Sequence, residues 1–122
     1  MNKPARIVAF SGALLSLLAV ILGALGSHFV DMQGLQGIWD TASYIHMFNA
    51  AALLGLAALL AQAALPVLKW GAWLIILGTV LFSGGIYLHV ITGYQVTNLV
   101  PFGGFLMMAG WLRVVLTFIR KP

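Results

Sequence analysis

Four long apolar runs fill most of this chain: Ile7 to Ser27, Tyr44 to Leu65, Gly71 to Thr92 and Phe102 to Ile119. Only the last holds a charged residue, Arg113. A helix needs about 20 apolar residues to cross the hydrocarbon of a bilayer, and each run meets or approaches that length. What lies outside them amounts to two short termini and three connections, marked by Gly34 and Gly37, by Pro66, and by Gly93, Asn98 and Pro101. The expected fold is therefore all-α: one transmembrane domain over residues 1–122, with four helices spanning about 7–27, 44–65, 71–92 and 102–119 in an antiparallel bundle.

Composition excludes the soluble alternative. A soluble domain is roughly one quarter charged, whereas 7% of this chain is charged, 62% is hydrophobic and its mean hydropathy is +1.07. There is no cysteine, which removes disulfides, thiolate metal sites and thiol nucleophiles. There is no glutamate, and the aspartates stand only at Asp31 and Asp40. The basic residues sit singly or in pairs beside apolar runs and form no stripe, so no nucleic-acid partner is expected.

Basic residues resist translocation, so their distribution orients the spans. Lys3 and Arg6 precede the first run, Lys69 lies between the second and third, and Arg120 and Lys121 follow the fourth; the other two connections carry none. Both termini and the Pro66–Trp70 turn are expected in the cytoplasm, with Asp31 and Asp40 on the opposite side. The first run resembles a secretory signal in its basic start and small residues at Ala24 and Gly26. Its apolar stretch exceeds the roughly 7 to 15 residues of a signal core, so it is expected to stay and span.

Membrane helices associate where small side chains let backbones approach. Gly12, Ser16, Ala19, Gly23 and Gly26 recur along the first run, Ala51, Gly55, Ala58 and Gln62 along the second, and Gly71, Gly78 and Gly85 along the third. Gly103, Gly110 and Thr117 recur at sevens along the fourth. Tight left-handed packing through Gly12, Gly23, Gly26, Gly55, Gly78, Gly85, Gly103 and Gly110 is expected, ahead of a hinge or a substrate path. The connection from His28 to Asp40 carries Phe29, Met32, Gln36 and Trp39 at spacings that suit a short interfacial helix, with Trp39 at headgroup depth and Asp40 or Thr41 capping the second span. Tyr44, Tyr87 and Tyr94 fall at the same level and suit an aromatic belt.

The expected topology brings His28, His46 and His89 to one outer layer, flanked by Asp31 and Asp40. Imidazoles with a carboxylate suit Zn or Cu, and the thioethers of Met32 and Met47 suit Cu(I). No two of these histidines have a local ligand spacing, and interfacial histidines that bond loop carbonyls are the more ordinary outcome. Arg113 is the one charge well inside a span, placed to reach headgroups by snorkelling and to contact an anionic lipid. No intramembrane acid supports proton or sodium coupling. Ser83 precedes Gly84 and Gly85 but has no histidine or acid expected at its depth, so no catalytic constellation is recognised and no enzyme is expected.

Gly23-Ala-Leu-Gly-Ser-His28, Trp39-Asp-Thr-Ala42, Leu81-Phe-Ser-Gly-Gly-Ile-Tyr87 with Thr92-Gly93, Pro101-Phe-Gly-Gly104 and Ala109-Gly-Trp111 follow in order over nearly the whole chain. This set resembles the domain-of-unknown-function 423 family, small four-span proteins of bacterial inner membranes and, as transmembrane protein 256, of animals. The resemblance implies a multi-pass inner-membrane protein, mitochondrial if eukaryotic, without an assigned activity. The family usually has a histidine where Asn49 stands and none at His46 or His89, so only His28 carries over. The first functional expectation is a non-catalytic accessory or structural subunit, with membrane lipids, a larger complex or a second copy as partners. The alternative is a binder or carrier of a metal ion, lipid or small molecule at the outer His/Asp layer.

Overall fold

The computed structural model describes residues 1–28, 30–94 and 98–119. Within them the chain forms four helices and no strand: α1 (Lys3–His28), α2 (Gln36–Gln62), α3 (Pro66–Thr92) and α4 (Leu99–Ile119). All four are long and apolar enough to cross a membrane. Phe29, Arg120 and Lys121 lie outside the described residues.

Each helix starts before its apolar run, because backbone hydrogen bonding continues past the hydrocarbon. Asn2 caps α1, its Oδ1 accepting from the Ala5 N–H at 2.9 Å. Its Nδ2 donates to the Leu60 carbonyl at 2.8 Å, which ties the start of α1 to the last turn of α2. Pro66 opens α3, where a missing N–H costs nothing. Gly93 ends it with φ of 78°, a left-handed conformation suited to glycine, and donates to the His89 carbonyl at 2.8 Å.

The largest departure from expectation is at α2, which begins at Gln36 instead of near Tyr44. Among the described residues there is no separate interfacial helix: Gln36 to Asp40 is already α2, held by a 2.7 Å bond from Gln36 Nε2 to Asp40 Oδ1. The residue at the cap is Leu35, which makes no side-chain bond, so neither Asp40 nor Thr41 caps the span.

The bundle is two antiparallel hairpins, α1 with α2 and α3 with α4, joined through α2 and α3, with a light contact between α1 and α3. In α3 and α4 the glycines at sevens meet. The antiparallel register sets Gly71 against Gly110 and Gly78 against Gly103: a methyl on Gly110 would stand 2.7 Å from the Gly71 carbonyl oxygen, and one on Gly78 2.7 Å from that of Gly103. Gly12 lies against the Ala50 carbonyl and Leu53, and Gly26 against the indole of Trp39. Gly85 is buried as well.

Two expected packing positions are different. Gly23 and Gly55 have no neighbouring atom within 4 Å of where a Cβ would lie. The reason is clearest on α2. Its buried face runs through Trp39, Ala42, His46, Asn49, Leu53, Leu56 and Leu60, a three-four repeat. Polar His46 and Asn49 must face the interior in a lipid span. That choice turns Ala51, Gly55, Ala58 and Gln62 outward, where all four are exposed.

Candidate functional site

The interior has two apolar cores with a polar tier between them. One core gathers Val8, Leu53, Leu60, Leu68, Ile75 and neighbours; the other gathers Trp39, Ala42, Ile86 and Tyr87. Between them lie the buried polar residues His46, Asn49, Thr79 and Ser83, exposed by 3%, 2%, 1% and 1%. In hydrocarbon each needs a protein partner, and each has one.

Asn49 on α2 joins three helices. Its Nδ2 donates to Thr79 Oγ1 at 2.8 Å on α3 and to Met107 Sδ at 3.0 Å on α4, while its Oδ1 accepts from Trp111 Nε1 at 3.0 Å. Indole is only a donor, so the amide orientation follows from the bond itself. His46 joins α1, α2 and α3: Nε2 pairs with the Leu15 carbonyl at 2.8 Å and Nδ1 with the Tyr87 hydroxyl at 2.9 Å. A carbonyl can only accept, so Nε2 carries the proton and Nδ1 accepts from Tyr87. Ser83 donates to the Ala42 carbonyl at 2.9 Å.

This arrangement positions helices; it does not activate a nucleophile. His46 does reach the level of Ser83, contrary to expectation, because α2 starts early. Yet the lone pair of its Nδ1 is taken by Tyr87, and Ser83 gives its proton to a backbone carbonyl. A general base bonded to the nucleophile is what such catalysis needs.

The five outer-layer residues do not converge. His46 lies ten residues inside α2, about 15 Å along the helix from its start. His89 remains in the last turn of α3, pairing Nδ1 with the Tyr94 carbonyl at 2.9 Å. Asp31 accepts from the Gln33 N–H, Asp40 bonds Gln36, and His28 closes α1. Asp31 and His89 share the lining of one pocket with Gln33 and Thr92. Among the described residues no three His, Cys, Asp or Glu side chains gather as a metal would require.

Trp39 is 3% exposed, seated on Gly26 with its ring centroid 4.8 Å from that of Tyr87, so it is a core residue and no headgroup anchor. Tyr87 is buried beside it, leaving Tyr44 and Tyr94 as the exposed tyrosines of the expected belt. Arg113 is half-buried, and its Nε donates to the Val67 carbonyl in the first turn of α3 at 3.3 Å. The absent side chain of Gly71 leaves room for it, since a methyl there would lie 3.2 Å from Arg113 Cβ.

Thr79 and Met107 were not picked out from the sequence, and Asn49, Tyr87 and Trp111 were noted there only for other reasons. Their signal was spacing: His46 and Asn49 three apart on α2, Thr79, Ser83 and Tyr87 four apart on α3, Met107 and Trp111 four apart on α4. Polar groups inside apolar spans at such intervals share one face.

A four-helix membrane protein with a hydrogen-bonded polar tier is the class that fold and interior define. The model of the protein family of unknown function DUF423 matches residues 22–104, and the chain belongs to that family. A UPF0382 membrane protein of Staphylococcus aureus is 33% identical over 118 residues, covering 89% of this chain and 92% of the relative. The UPF0382 membrane protein YwdK of Bacillus subtilis is 30% identical over 125 residues, covering 94% and 98%. One from Staphylococcus haemolyticus is 30% identical over 118 residues, covering 89% and 92%. No solved structure matches.

Proposed function

We propose that this chain is a non-catalytic accessory protein of the bacterial inner membrane that joins a larger membrane complex through the outward face of α2. The observation that carries this is Gly55. A mid-helix glycine costs about 0.5–1 kcal/mol relative to alanine, and here nothing inside the chain lies close enough to use the space it leaves. Ala51 and Ala58 extend the same outward strip. The outward faces of α1 and α4 carry Phe10, Leu17, Val20, Phe105, Met108 and Leu112, bulk that suits acyl chains. A strip of small residues suits the close approach of another helix. Purification in a gentle detergent tests this: the 13.1 kDa chain is expected in a discrete larger species that Gly55→Leu disperses. A monomer for both proteins contradicts it.

The distribution of Lys and Arg supports cytoplasmic termini. Because the chain has no cysteine, single cysteines report sidedness cleanly. In intact cells an impermeant maleimide is expected to label Gly34→Cys and to spare Ala63→Cys; the reverse pattern contradicts this orientation.

A further inference from the structure

One apolar cleft in the membrane-facing surface runs in as far as the polar tier. Between α1 and α3 a cleft of about 120 Å³ runs inward from Leu18, Leu22 and Val80 to a floor that includes His46, Thr79 and Ser83. Gly84 lines it, with no atom within 4 Å of where its Cβ would be, so a bare backbone keeps that side of the cleft open. Two of the hydroxyls at the floor are spent: Tyr87 donates to His46 and Ser83 to Ala42. Thr79 differs. It accepts from Asn49, and among the described residues its own O–H has no acceptor, although the residue is 1% exposed. A buried donor left unmade costs about 1–3 kcal/mol, and the cleft that Thr79 helps to line is the nearest place for an acceptor, reached by a small displacement of the side chains over it.

We infer that this cleft binds a membrane-dissolved amphiphile that presents a carbonyl oxygen to Thr79. The opening faces hydrocarbon, so the ligand arrives through the bilayer. Its walls are leucine and valine, so the body is apolar. A cavity of about 150 Å³ accepts a benzene ring; at about 120 Å³ but open on one side, the cleft takes the edge of a ring or one bend of a chain. A quinone ring and the ester carbonyl region of an acyl lipid share this chemistry.

Photo-labelling of the full chain in nanodiscs separates them. The probes are a benzoquinone with a diazirine in a decyl tail and a phosphatidylglycerol with a diazirine in one acyl chain. At least one is expected to label the Leu15–Leu22 and Val80–Gly84 segments, and the successful probe identifies the source. That label is expected to fall about tenfold in Gly84→Leu, which fills open space, and in Thr79→Val, and to persist in Thr79→Ser. Labelling of Phe105 and Leu112 on the outward face of α4 serves as the annular reference and is expected to stay constant. Equal labelling across all variants, persistence in Thr79→Val, or no cleft label from either probe overturns the inference. Gly84→Leu keeps the test decisive if Thr79→Val fails to fold.

Discussion

Gly103→Val is expected to destabilise the bundle by about 2–3 kcal/mol, toward the upper end of what overpacking a close contact costs. A Cβ at Gly103 would stand 2.5 Å from the Phe82 nitrogen and 2.9 Å from the Gly78 carbonyl oxygen. Both obstacles are backbone, so no rotamer change relieves them, and α3 must move off α4. Valine is slightly better than glycine in a helix, but that gain is under about 1 kcal/mol. Gly55→Ala is the matched control, because it adds a methyl to open space. Reversible unfolding in mixed detergent micelles measures both. A loss confined to Gly103→Val is expected; comparable stability of the two variants contradicts the glycine-to-glycine crossing.

Asn49→Leu is expected to cost a comparable amount, about 3 kcal/mol. It removes three bonds that hold α2, α3 and α4 in register. Interhelical bonds in membranes average about 0.6 kcal/mol and reach about 1.7, and the orphaned Trp111 N–H adds about 1 kcal/mol or more. Asn49→His keeps one donor and one acceptor and is expected to lose less than half as much. Both stabilities come from the same unfolding titration. If leucine proves neutral, the tier is not what fixes the helices.

Spans were legible because lipid imposes one rule, that long uncharged runs become helices. Packing of α3 on α4 was legible for a related reason: glycines at sevens on both helices have a single antiparallel register that lets them meet. The polar tier was less so. Placing the start of α2 near Tyr44, where hydropathy rises, put His46 at the membrane surface, whereas the helix extends back through Trp39 to Gln36. That extension places His46 in the core instead of the expected interfacial layer. Which face of α2 is inside is a separate matter. Smallness alone does not reveal facing, since Ala51 and Gly55 suit an interior seam as well as an external one. Only the partners of His46 and Asn49 decide between them, and those partners lie on other helices.

The claim that the outward face of α2 seats another helix is tested most directly by cross-linking from position 55 in native membranes. A photo-reactive residue at Gly55 is expected to give one discrete protein adduct heavier than a dimer of this chain, lost when Ala51 and Ala58 are both changed to leucine. An adduct with a second copy alone, or with lipid alone, contradicts the accessory role.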